Sequence, residues 1–161
     1  MNPKLMQLLR FTEEDLVWNR KGKMSEKQRK RQMNNAKILL IVLLVFALLL
    51  YSSFFLVNEG SIELFRNIIM AVVCSIIALT GVFFYWKTEI GVLKGVAKKI
   101  TGQITYATSK QGQTLLVVNN LEKFPFPYQQ DLLDTKQIYT VYYMKAAMNE
   151  ILSIEEENLS L

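Results

Sequence analysis

The sequence predicts a membrane protein built as a two-helix transmembrane hairpin followed by a small all-β cytoplasmic domain, an SH3-like or OB-like barrel or a sandwich. Three observations lead there. Residues 38–58 and 67–86 form two blocks without a single Asp, Glu, Lys, Arg or His. Basic residues crowd the outer flanks of that pair. Beyond residue 88 the hydrophobic pattern changes to the alternation of strands.

Hydrophobic residues make up 51% of the chain, and the excess sits in the two blocks. Each block is about 20 residues long, the number a helix rising ~1.5 Å per residue needs to cross a ~30 Å hydrocarbon core. Three features argue against reading the first block as a signal peptide. It starts at residue 38, exceeds the usual h-region length and is followed by no small-residue cleavage site. A chain of 161 residues is also too small to surround two uniformly apolar helices as a soluble core. The single cysteine, Cys74, falls inside the second block and allows no intrachain disulfide.

Charge sets the expected orientation. Residues 1–37 carry ten Lys or Arg, whereas the connection 59–66 carries one basic residue and two acids. Lys87, Lys94, Lys98 and Lys99 restore positive charge after the second block. Positive charge resists translocation, so both termini are expected on the cytoplasmic side of the cell (inner) membrane. Lys27, Arg29, Lys30 and Arg31 are expected against anionic headgroups, with Trp18 as an interfacial anchor. Juxtamembrane position explains this basic run without nucleic acid, and residues 88–161, with seven lysines against eight acids, are near neutral.

The resulting organisation is an amphipathic helical segment at 1–36, the hairpin at 37–87, the β domain at 88–158 and a tail at 159–161. In the first segment, Thr12 and Asp15 fit a capping box opening a helix over 13–21, and Gly22 suits its C′ position. Ser25 and Gln28 fit a second box, from which one helix runs unbroken to residue 58. Leu5, Leu8 and Leu9 form an apolar stripe on an earlier short helix. That stripe demands a cover, which is either a partner or the protein's own cytoplasmic domain.

In the second block, Ala71, Ser75, Ala78 and Gly81 offer a small-residue face for the first helix or for another copy. Tyr85 and Trp86, followed by Lys87, end the block as an interfacial belt.

In the β domain, Ile100, Gly102, Ile104 and Tyr106 alternate with polar residues as one strand. A turn at 110–113 leads to a strand at 114–118, apolar on both faces. Asn119 and Asn120 make the next turn, and Phe124 and Phe126 share one side of an extended segment edged by prolines. A helical turn is expected at 129–134. A strand at 138–144 should turn Tyr139, Val141 and Tyr143 inward and leave Ile138, Thr140 and Tyr142 partly exposed, with Tyr142 a possible partner contact. A short strand at 151–154 precedes an acidic stretch, Glu155, Glu156 and Glu157.

Chemistry is sparse. The chain has no histidine, which removes the commonest general base and metal ligand. No phosphate loop or nucleophile elbow is present, and neither block holds an ionisable relay. Asp131 and Asp134 flank Leu132 and Leu133 in a polar turn and read as surface groups. No catalytic, metal or cofactor-binding residue is expected. The expected function is a non-enzymatic, membrane-anchored interaction or scaffold module, with the lipid bilayer and a protein partner or second copy as its contacts. The alternatives are an accessory subunit of a transporter, channel or secretion assembly, or an enzyme with an unrecognised site in the β domain.

Overall fold

The computed structural model describes residues 3–55, 63–109, 111–128, 132–146 and 149–157. Residues 59–62 of the 59–66 connection, Lys110, residues 129–131 of the expected helical turn and the 159–161 tail lie outside the described residues. Four helices precede five strands: α1 (Pro3–Leu9), α2 (Glu13–Arg20), α3 (Glu26–Phe55), α4 (Glu63–Lys94), β1 (Lys98–Thr108), β2 (Thr114–Val118), β3 (Glu122–Pro125), β4 (Ile138–Lys145) and β5 (Asn149–Glu156). They form two compact units. One combines Met1–Lys30 with Gly91–Leu161, and the other is Arg31–Ile90.

The Arg31–Ile90 unit consists of the long apolar parts of α3 and α4, each long and apolar enough to cross a membrane. Sheltered positions recur at spacings of four and three: Ala36, Leu40, Leu43, Ala47 and Leu50 on α3, and Met70, Cys74, Ile77, Gly81 and Phe84 on α4. This is the heptad spacing of a left-handed helix–helix seam. Gly81 is buried, and a Cβ there would come within 3.2 Å of Leu43 and 3.3 Å of Leu40. The glycine therefore lets the two backbones approach. Ala78 is half-buried beside it, but Ala71 and Ser75 are exposed. They stand one residue, about 100°, round the helix from the seam at Met70 and Cys74. The Ser75 hydroxyl donates instead to its own helix, to Ala71 O at 2.7 Å. The small-residue face expected at Ala71, Ser75, Ala78 and Gly81 thus packs only through its last two members.

In the other unit the five strands pair antiparallel in the order β3-β2-β1-β4-β5. β1 serves two partners. Its first half, Lys98 to Gln103, pairs with β4, and its second half, Ile104 to Thr108, pairs with β2. Gly102 lies where the partner changes. A Cβ there would fall 2.0 Å from Asn119 Oδ1, because the Asn119 amide reaches across to donate to Thr101 O at 2.8 Å. Asn119 and Asn120 both adopt positive φ, +49° and +56°, the type I′ geometry of a tight hairpin. The sheet curls so that β3 lies against β5, where Glu122 accepts a hydrogen bond from Asn149 Nδ2 at 2.7 Å. Ile104, Leu116, Val118, Phe124, Phe126, Tyr139, Val141, Tyr143, Ile151 and Ile154 fill the interior.

Tyr139, Val141 and Tyr143 point inward as expected, but Thr140 and Tyr142 are buried as well, at 2% and 5% exposure. The outer face of β4 and β5 is covered, because α2 and the start of α3 pack on β5, whereas α1 sends Leu5 into the interior. β5 also runs further than 151–154. Glu155 and Glu156 belong to the strand, and Glu157 N donates to Ile138 O at 2.9 Å. A bulge opposite Tyr142 and Tyr143 lets Ile151 and Ile154, three residues apart, both face inward.

The N-terminal segment and the strands form one compact unit, so the strands taken alone lack a cover. A chain in which 31–90 is replaced by a short Gly/Ser linker should be soluble and unfold cooperatively in urea, with β-type circular dichroism. Residues 91–157 alone should aggregate or melt without a transition, since Leu152 and Tyr142 would face water. Equal stability of the two proteins would show that the cover contributes nothing.

Candidate functional site

The feature that organises the strand unit is its N-terminal cap. Both expected capping boxes form. Thr12 Oγ1 accepts from Asp15 N at 3.3 Å while Thr12 N donates to Asp15 Oδ2 at 2.9 Å. Gln28 N donates to Ser25 Oγ at 3.1 Å and Ser25 N to Gln28 Oε1 at 3.2 Å. Gly22, at φ +72°, turns the chain between them. The turn sends the backbone alongside the start of β1. Met24 N donates to Gly95 O at 2.9 Å, and Ala97 N donates to Gly22 O at 3.0 Å.

The cap is held to β5 largely by polar contacts. Asn19 Nδ2 donates to Ser153 Oγ at 2.7 Å, and Gln28 Nε2 donates to Leu152 O at 3.3 Å. The Ser25 hydroxyl donates to Asp15, joining the two capping boxes. Arg20 pairs with Glu155 at the rim. Apolar anchors lie among these contacts: Leu5, Phe11, Leu16 and Met24 are each no more than 5% exposed. Leu5 enters the interior of the sheet unit itself, and the Tyr128 hydroxyl donates to Leu8 O at 3.1 Å.

This placement revises the expected partner surface. Leu5 and Tyr142 are inside the unit, Leu9 is packed against the core, and only Leu8, 39% exposed, faces outward. The apolar stripe covers the protein's own β sheet. Neither Asn19 nor Ser153 was expected to matter. The signal was a lone serine in an otherwise apolar run, 151–154, which marks a strand whose outer face meets something polar.

The expected interfacial residues divide. Trp18 is exposed on α2, with the Lys21 ammonium 5.6 Å from its ring centre. Lys27 and Lys30 are exposed on the first turns of α3 and line, with Trp18, Glu14, Asp15, Ser25 and Glu26, a groove of about 480 Å³. Arg29 is half-buried and turned away. Its guanidinium donates to Val92 O at 3.1 Å and Leu93 O at 3.5 Å, closing free carbonyls at the end of α4. Arg31 is half-buried. In the other unit, Trp86 is exposed and Tyr85 half-buried, with the Lys87 ammonium 5.3 Å from the Trp86 ring. Asp134, from the expected carboxylate pair, accepts from Lys136 N at 2.9 Å in a local turn.

Three tyrosine hydroxyls of β4 act as donors. Tyr139 donates to Gln137, Tyr142 to Glu155 and Tyr143 to Glu122. Burial, then the facing carboxylate Glu155, pushes the Tyr142 phenol up to about 12. Burial and Glu122 raise Tyr143. The arrangement suits holding surfaces together rather than proton transfer near neutral pH.

The Tyr142 shift has a stability consequence. Its folded pKa lies above the unfolded value, so its contribution is fully present below pH ~10 and is lost as pH rises toward about 12. Tyr142→Phe should be less stable than wild type at neutral pH, and the gap should narrow across that alkaline window. Urea midpoints measured from pH 8 to 11.5 test this, and a gap independent of pH would contradict the assignment. Comparison of the chain with family models, curated proteins and solved structures gave no match.

Proposed function

We propose that this chain is a two-pass protein of the cell (inner) membrane that holds a small β domain at the cytoplasmic surface as a non-enzymatic interaction or scaffold module. The observation that carries the reading is the composition of the strand unit. Segments before α3 and after α4 fold together, so the polypeptide between them has to leave and return. That intervening stretch is two helices with exposed apolar side chains, among them Ile41, Leu48, Ile76 and Leu79 at 58–66% exposure. Lipid is the environment in which such surfaces are stable. The basic flanks favour the cytoplasmic side for the folded unit.

The strand order supports an OB-type barrel within the expected pair of types. With β3 against β5, the cyclic order is 1-2-3-5-4, and β1 is shared by both halves. The lack of histidine and the tying of the polar groups into packing contacts support binding over catalysis. A second reading, an accessory subunit of a transporter, channel or secretion assembly, is favoured by one observation. Ala71 and Ser75 remain exposed on α4, where small residues let another helix approach closely.

Topology and role have separate tests. With Cys74 replaced by Ser, single cysteines at Ser61 and Ser109 should label differently with a membrane-impermeant thiol reagent in intact cells. Ser61→Cys should react and Ser109→Cys should stay protected. The reverse would overturn the orientation, and release of the protein by carbonate washing would overturn membrane insertion. A mild-detergent pull-down with full-length protein should recover partner chains that are lost when 98–157 is deleted. Recovery that depends on Ala71 and Ser75 instead would favour the subunit reading.

A further inference from the structure

The groove between α2 and the first turns of α3 gathers charges of both signs around an aromatic ring. Trp18 and Glu14 come from α2, and Glu26, Lys27 and Lys30 from α3. All five are exposed. Among the described residues, Glu14, Glu26, Lys27 and Lys30 form no ion pair with one another, although both signs line the same space. The third carboxylate, Asp15, is turned inward and engaged by Thr12 and Ser25. The groove's volume, about 480 Å³, lies within the ~300–1,000 Å³ usual for small-ligand sites.

Lys27 and Lys30, with Lys21 at the indole, face Glu14, Glu26 and the engaged Asp15, so three cations and three carboxylates are near neutral together. Such a site does not favour a simple anion, because the carboxylates repel it, nor a simple cation. It matches a ligand that carries both charges a few bonds apart. The lysines supply charge-assisted donors for a phosphate. The carboxylates and the face of the indole, which already accepts the Lys21 ammonium, suit an ammonium group. Lys30 stands about two helical turns before the apolar block that opens at Ile38.

We propose that this groove binds the zwitterionic headgroup of an aminophospholipid, with the phosphate held by Lys27 and Lys30 and the ammonium by Glu14, Glu26 and the Trp18 ring. The choice of a lipid as the source of that headgroup rests on the membrane reading above. The chemistry of the groove does not.

The test uses the full chain in dodecyl maltoside micelles with Trp86→Phe, which leaves Trp18 as the one tryptophan. Its emission is followed while dihexanoyl phosphatidylethanolamine, dihexanoyl phosphatidylglycerol or water-soluble glycerophosphoethanolamine is added. The expected result is a saturable change with the phosphatidylethanolamine and a far weaker one with the phosphatidylglycerol. Lys27→Gln with Lys30→Gln, and separately Glu14→Gln with Glu26→Gln, should each weaken it by about tenfold or more. These side chains are exposed, so the circular dichroism of both variants should match wild type. An equal response to the two lipids, or unchanged midpoints in both variants, would overturn the headgroup assignment. Binding of glycerophosphoethanolamine as tight as that of the lipid would keep the headgroup chemistry and overturn the lipid source. Failure of the membrane reading shows separately, as release by carbonate washing.

Discussion

The short backbone pairing of Gly22 and Met24 with Gly95 and Ala97 is the constraint on which the rest of the strand unit depends. Lys23 and Val96 form the bridge at its centre. The bridge fixes where the chain enters α3 relative to where it leaves α4. Arg29 tightens the same junction by capping the end of α4. With those two points held together, α1 and α2 pack on β5. The outer face of β4 and β5 is then buried, and a strand that reads as half-exposed becomes buried on both sides.

The contacts that hold the cap differ in kind from those that fill the interior of the curled sheet. That interior is aliphatic and aromatic, and its shape is set by volume. The cap lies on a layer containing Asp15, Asn19, Ser25, Gln28 and Ser153, each buried and making at least one hydrogen bond, although Asn19 Oδ1 is left without a partner. Such bonds add only about 1 kcal/mol each in net stability, but leaving one unmade in a buried place costs more. A polar layer of this sort therefore penalises wrong dockings more than it strengthens the right one. A purely apolar α2 would bind the sheet in several registers, whereas Asn19 opposite Ser153 selects one.

Much of this was legible in the sequence where a local rule dominates. Thr12 with Asp15 and Ser25 with Gln28 announce helix starts through their own hydrogen bonds, and Asn119–Asn120 announces a turn through its tolerance of positive φ. The strand at 114–118 matches β2 residue for residue, because its bounding turns are local too. What local rules do not encode is which surface covers which. The stripe of Leu5, Leu8 and Leu9 showed that a cover existed, and the structure supplies the protein's own β sheet as that cover. Arg29 looked like its neighbours Lys27 and Lys30. Only the proximity of Val92, more than sixty positions away, gives it a different partner. Small residues at 71 and 75 carry a packing propensity too, but the helical phase that puts Gly81 against Leu40 and Leu43 leaves them outside that contact.

The discontinuity of the strand unit also bears on how the protein is made. α1 and α2 are translated before α3 and α4, yet β5, the strand they pack on, is translated only after both long helices. Domains commonly fold as units during synthesis, but here the two parts of one unit are separated by the helical pair. Throughout that interval Leu5, Phe11 and Leu16 have no native surface to meet. Completion of β5 is the event that lets the N-terminal helices bury these side chains.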